Sequence, residues 1–216
     1  QDAIEAMPQF RSVWYQQAFE PIPGVTARLF DAGHILGSAA VALDYQENGQ
    51  NKRFWFSGDI GRLDAPILQD PVMPENADTL LMECTYGDKK HERLEDAYDE
   101  FVDAINRTVK RGGKVIVPAF AVGRTQNLSY MLSEAIDNGD IPDVPVVIDS
   151  PLAVNASDLY RKHTECFDDE TWQYIAEHRM QGLDFDNLIF TRSVDESKAL
   201  NEYNGPMVII SASGMA

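Results

Sequence analysis

The sequence predicts an α/β protein in two parts, a hairpin-rich β segment followed by strands and helices in alternation. Three observations predict it. The early apolar runs are strand-length and are joined at Asn48-Gly49, a dipeptide that tolerates the positive φ of a tight hairpin turn. Beyond Glu83, short β-branched runs take turns with stretches whose apolar residues recur at helical spacing. Alternation of that kind implies right-handed crossovers and a largely parallel sheet flanked by helices.

Taken in order, Ile4 to Met7 reads as a short helix, and Pro21-Ile22-Pro23-Gly24 ends any helix before it. Val25 to Phe30 is the first predicted strand and delivers His34 just past its end. Ser38 to Tyr45 and Lys52 to Phe56 follow as a hairpin. Leu63 to Asp78 carries three prolines and several acids and reads as an exposed excursion. Thr79 to Cys84 reads as a buried strand that carries Glu83 near its end. A boundary is expected near Tyr86–His91, giving parts 1–88 and 89–216.

In the second part the spacing predicts helices over His91–Arg111, stopped by Gly112-Gly113, and over Thr125–Asp137, Leu152–His163, Asp168–Met180 and Val194–Asn201. Strands are expected at Lys114–Pro118, Val144–Ile148, Leu188–Phe190 and Met207–Ile210, the first of them buried. Ligands of such sheets bind beyond the carboxyl ends of the strands. Phe120–Arg124, Asp149-Ser150 and Ser211–Gly214 fall at such ends.

Composition narrows the class. At 216 residues, 44% hydrophobic and 25% charged, the chain has the make-up of a globular protein, and no apolar run approaches the length of a membrane span. Cys84 and Cys166 lie in no metal-binding or redox spacing and read as reduced residues of a cytoplasmic protein. A formal charge of −17 argues against a broad nucleic-acid surface. Bound divalent cations would reverse that potential locally, and a narrow site needs few Arg or Lys.

The chemistry-bearing groups sit among small residues. His34, in Asp31-Ala32-Gly33-His34-Ile35-Leu36-Gly37-Ser38, and Asp59, in Ser57-Gly58-Asp59-Ile60-Gly61, each put a metal-capable side chain at a strand end where glycines admit a close approach. The alternatives are a backbone-bonded histidine and an Asx-turn. Glu83 reads either as an orienting carboxylate or as a hydrogen-bonded strand end. Arg124 follows a glycine at a strand-to-helix turn and could hold a phosphate or pair with an acid. Phe120 could stack a base or pack. Ser150, Ser213 and Gly214 sit at further strand-to-helix turns and serve a substrate or cap a helix. No Gly-x-Ser-x-Gly elbow is present.

Ala32 to Ser38 and Ser57-Gly58-Asp59 resemble the third and fourth metal motifs of the metallo-β-lactamase superfamily. Glu83-Cys84-Thr85-Tyr86-Gly87, Val117 to Gln126, Asp149-Ser150-Pro151-Leu152-Ala153 and Ile210 to Met215 resemble the β-CASP blocks of its RNA-processing branch, the group of ribonuclease J and the cleavage and polyadenylation specificity factor nucleases. The resemblance implies the C-terminal part of a metallo-β-lactamase-type sheet followed by a β-CASP domain. It implies hydrolysis of RNA phosphodiesters with two zinc ions, His34 and Asp59 as metal ligands, and Asp59 and Glu83 in the catalytic set. Arg124, Phe120, Ser150, Ser213 and Gly214 would then meet the substrate. RNA is the expected partner, with a homodimer entertained and no membrane. The His-x-His-x-Asp-His motif of the family is absent, and the four histidines are His34, His91, His163 and His178. The chain is therefore expected to be an internal piece of a longer enzyme, inactive alone. A non-catalytic RNA- or protein-binding module and a small-molecule metallohydrolase are the alternatives.

Overall fold

The structure, a computed structural model, describes residues 2–90, 93–178 and 184–212. It divides into two compact units. The first comprises Gln1–Ala65 and Asp70–Thr85, the second Pro66–Gln69 and Tyr86–Ala216. Among the described residues, no helix is long and apolar enough to cross a membrane.

In the first unit a short helix α1 (Asp2–Ala6) precedes five strands, β1 (Phe19–Ile22), β2 (Val25–Asp31), β3 (Ala39–Glu47), β4 (Gln50–Phe56) and β5 (Thr79–Leu81). They form one sheet in that order, antiparallel except for the parallel β4–β5 pair. The β3–β4 connection is a two-residue turn, tighter than the five-residue loop expected, with Asn48 at φ 51° and Gly49 at φ 75°. Positive φ at both positions gives a twist that matches the flanking strands. On one face Ala40, Ala42 and Trp55 are buried, and Phe30 stacks on Trp55 with centroids 4.8 Å apart. Farther from the β2 exit, Asp44 accepts from Arg53 Nε at 2.6 Å and from Arg28 Nη1 at 2.8 Å, which holds its carboxyl below the ordinary value.

Two expectations change here. Strand β1 was not foreseen, because Pro21 reads as a breaker, yet an edge strand accommodates a residue with no N–H to donate. Strand β5 is three residues long and exposed along its length, with Leu81 54% exposed. Among the described residues it pairs only with β4, so an apolar run that reads as buried is a sheet edge.

The second unit holds α2 (Leu94–Lys110), β6 (Lys114–Ala119), α3 (Arg124–Asp137), β7 (Val146–Asp149), α4 (Pro151–Lys162), α5 (Asp169–His178), β8 (Leu188–Thr191), α6 (Val194–Glu202) and β9 (Met207–Ala212). The strands run in the order β6-β9-β7-β8, every pair parallel. Central strands β7 and β9 are continuous apolar runs, Val146-Val147-Ile148 and Met207 to Ile210, all buried, as a sheet covered on both faces requires. Ile105, Leu132, Ile141, Val146, Val208 and Ile210 join in the main core. Strand β6, expected to be buried, is an edge strand whose Ile116 is 70% exposed.

The predicted excursion is also not wholly exposed. Ile67 and Leu68 are buried, Leu68 bridges to Phe167, and Ile67 O accepts from Asp168 N–H at 2.9 Å. Ile67 stands at φ 81°, a backbone region that a β-branched residue avoids. Between α3 and α5, Tyr174 Oη donates to Asp137 at 2.5 Å. Burial there pushes the Glu134 carboxyl up from its ordinary value, against a hydrogen bond from Tyr130.

Candidate functional site

The strand ends of the first unit fold two glycine-rich loops together. The loop after β2 turns at Gly33 and Gly37, both at positive φ, and Ser38 organises it. Ser38 Oγ accepts from His34 N–H at 3.1 Å and from Ile35 N–H at 3.3 Å, while Ser38 O accepts from Ala32 N–H and from Tyr15 Oη. This leaves the His34 side chain exposed. Burial pushes the carboxyl of Asp31 up, opposed by the Gly33 N–H that it accepts at 2.8 Å.

The loop after β4 meets the first at backbone level: Gly61 N–H donates to Ala32 O at 2.7 Å. It also meets Glu83. Ile60 N–H donates to Glu83 Oε1 at 2.7 Å, and Glu83 N–H donates to Ser57 Oγ at 3.1 Å. A hydrogen bond from the Thr85 side chain and the Ile60 amide hold the Glu83 carboxyl below its ordinary value, and nearby His34 adds to the effect. Asp59 is exposed on this loop. The structure thus gathers His34, Asp59 and Glu83 on three connected segments of one unit. Among the described residues, no group of three or more His, Cys, Asp or Glu is arranged to hold a metal ion.

Ser57 is the residue that sequence reading passed over. It is 3% exposed, donates to Gly58 O at 2.7 Å and receives the Glu83 amide. A serine beside Gly-Asp reads as turn chemistry, and nothing in its type reveals that the hydroxyl is a buried junction.

The other expected residues lie in the second unit. Arg124 is the first residue of α3, exposed, with no ion pair among the described residues. Phe120 is 64% exposed, and its carbonyl accepts from Thr125 Oγ1 at 2.8 Å. The turn between them is sharp. Gly123 stands at φ 79°, ψ −72°, and Arg124 N–H reaches Val122 O at 3.1 Å. Such a γ-turn is strained for any residue with a side chain.

Gln126 locks that turn from inside. Only 1% exposed, it accepts from Gly123 N–H at 2.7 Å and donates to Ala121 O, Ala153 O and Ser157 Oγ. Ser150 caps α4 by accepting from Ala153 N–H at 3.3 Å. Its neighbour Asp149 accepts from Thr191 Oγ1 at 2.6 Å and Ser197 Oγ at 2.9 Å, so it ties β7 to β8 and α6. Ser213 and Gly214 lie outside the described residues, as does His91.

Residues 125–216 match the Beta-Casp domain. The whole chain is 33% identical to Ribonuclease TTHA0252 of Thermus thermophilus and covers 48% of that protein. It is 28% identical to an RNase J-like protein of Methanocaldococcus jannaschii, again over all of the chain and 49% of the relative. Over 90% of its length it is 28% identical to cleavage and polyadenylation specificity factor 73 of Drosophila melanogaster, of which it covers 27%. The chain therefore spans about half the length of these curated relatives, or less. Motif order, domain match and relatives agree: residues 125–216 match the Beta-Casp domain, and the chain as a whole is similar to the β-CASP group of metallo-β-lactamase-type proteins.

Proposed function

We propose that this chain is part of a metal-dependent ribonuclease that hydrolyses RNA phosphodiester bonds. The observation that carries the proposal is the junction of the His34 and Asp59 loops, with the Glu83 carboxylate bonded into it through the Ile60 amide. The names of the relatives, ribonucleases among them, support the substrate class.

The donor types fit a divalent transition metal, zinc above all, since an imidazole and a carboxylate both suit it. The donor number does not fill a site: His34 and Asp59 are two, and a catalytic zinc has at least about three protein ligands. The other ligands are to come from outside the described residues, and without them the site is expected to hold metal weakly and to be inactive. When bound, a pair of such ions supplies an activated water and charge stabilisation at phosphorus. This chain's part is to present the His34 imidazole and the Asp59 carboxyl group on connected loops, and to keep Glu83 ionised and oriented behind them. Arg124 holds a substrate phosphate with its exposed guanidinium, and exposed Phe120 offers a stacking face to a base.

The test uses the protein as its gene encodes it, with His34→Ala and Asp59→Ala. Metal content and cleavage of a labelled RNA are measured on each. Both variants should lose metal and cleavage together, and a variant that keeps both defeats the proposal. The two-donor set favours one second reading, a non-catalytic RNA-binding module, and a metal-free protein that retains RNA without cutting it would establish that instead.

A further inference from the structure

We infer that Gly61 is a positioning residue: its lack of a side chain lets the Asp59 loop close onto the Gly33–His34 peptide, and this contact sets where His34 and Asp59 stand relative to each other. The contact follows from geometry, while its consequence for metal rests on the function proposed above.

A Cβ placed on Gly61 would lie 1.8 Å from Gly33 O, 2.1 Å from Gly33 C and 2.8 Å from His34 N. These obstacles are backbone atoms and cannot rotate aside. Each loop is also braced away from the contact. Ser38 Oγ holds the His34 and Ile35 amides, and Glu83 Oε1 holds the Ile60 amide. Between them runs the Gly61 N–H to Ala32 O bond of 2.7 Å. Non-bonded heavy atoms settle near about 3.5 Å, so any side chain at position 61 forces the loops apart by roughly 1.7 Å. Donor groups of a functional site tolerate displacements of about 0.5 Å. The forced shift is roughly three times larger, so it reaches the donors even if both loops share it.

Gly24 supplies the contrast in the same unit. It stands at φ +84° with nothing within 4 Å of an added Cβ, so Gly24→Ala introduces backbone strain without crowding.

The experiment compares the protein as encoded with Gly61→Ala and Gly24→Ala by cobalt(II) titration, the cobalt absorption spectrum and thermal unfolding. Amide exchange at Gly61 is followed in the metal-free parent. Gly24→Ala should lower Tm and leave cobalt affinity and spectrum unchanged. Gly61→Ala should weaken cobalt binding at least about tenfold, the scale of lost ligand orientation, with an altered spectrum. The Gly61 amide should be protected before any metal is added. Parental affinity and spectrum in Gly61→Ala, or a freely exchanging Gly61 amide, would overturn the inference. A parent that binds no cobalt defeats the metal reading instead. In that case, or if Gly61→Ala does not fold, the exchange result on the parent decides whether the contact exists.

Discussion

Replacing Gln126 with alanine should unfold the second unit well before the overall fold would suggest. The amide is 1% exposed and satisfies four polar groups: Gly123 N–H, the carbonyls of Ala121 and Ala153, and Ser157 Oγ. Alanine removes all four partners at once. Ala153 O keeps a donor in Ser157 Oγ at 3.0 Å, so the loss concentrates on Gly123 N–H and Ala121 O. An orphaned buried group costs about 1–3 kcal/mol. The vacated side-chain volume adds about 1–2 kcal/mol. The expected total is roughly 3–8 kcal/mol, or a Tm lowered by roughly 10 °C or more for a chain of this length. Urea denaturation followed by circular dichroism measures it directly. Ser157→Ala removes one partner and should cost about 1 kcal/mol, with the double variant less damaged than the sum. A loss below about 1 kcal/mol for Gln126→Ala would show that water replaces the amide, and the account of the α3 turn would be wrong.

Three more expectations can be measured. Burial raises the folded pKa of Glu134 above 4.5, so the native state binds the proton more tightly and stability is lost as pH rises from 4.5 through that raised value. Glu134→Gln should therefore raise Tm at pH 7–8 and lose the gain below about pH 4.5, and coincident pH profiles would contradict the burial cause. Gly123→Ala puts a side chain at φ 79° and should cost about 1–2 kcal/mol in a urea melt, whereas an unchanged midpoint would mean that the γ-turn relaxes freely. Arg124→Ala should weaken RNA binding for all sequences alike and reduce the slope of log affinity against log salt by about 0.7, which filter binding across a salt series reads out.

Much of the second unit is legible in the chain because its signals are local. Helical spacing places α2, α3 and α4 within a few residues, and Asn48-Gly49 marks the hairpin of the first unit. What is not legible depends on strand order. Val115-Ile116-Val117 and Leu80-Leu81-Met82 have the composition of buried strands, and only the pairing of the sheets shows that β6 and β5 are edges. At the site, His34, Asp59 and Glu83 announce themselves by type. Ser57 and Gly61 do not, because one acts through a buried hydroxyl and the other through the side chain it lacks.

Ile67 gives the chain an unusual division of labour. Between β4 and β5 of the first unit, four residues count with the second, and one of them is a wholly buried isoleucine in a conformation that costs about 1–3 kcal/mol. Such strain persists only while the surroundings hold it. The second unit is thus stitched from two separated lengths of polypeptide, the shorter under tension. A scissile cut at the Thr85–Tyr86 join, the obvious place to part the halves, would leave Ile67 and Leu68 on the wrong piece and open a hole beside Phe167.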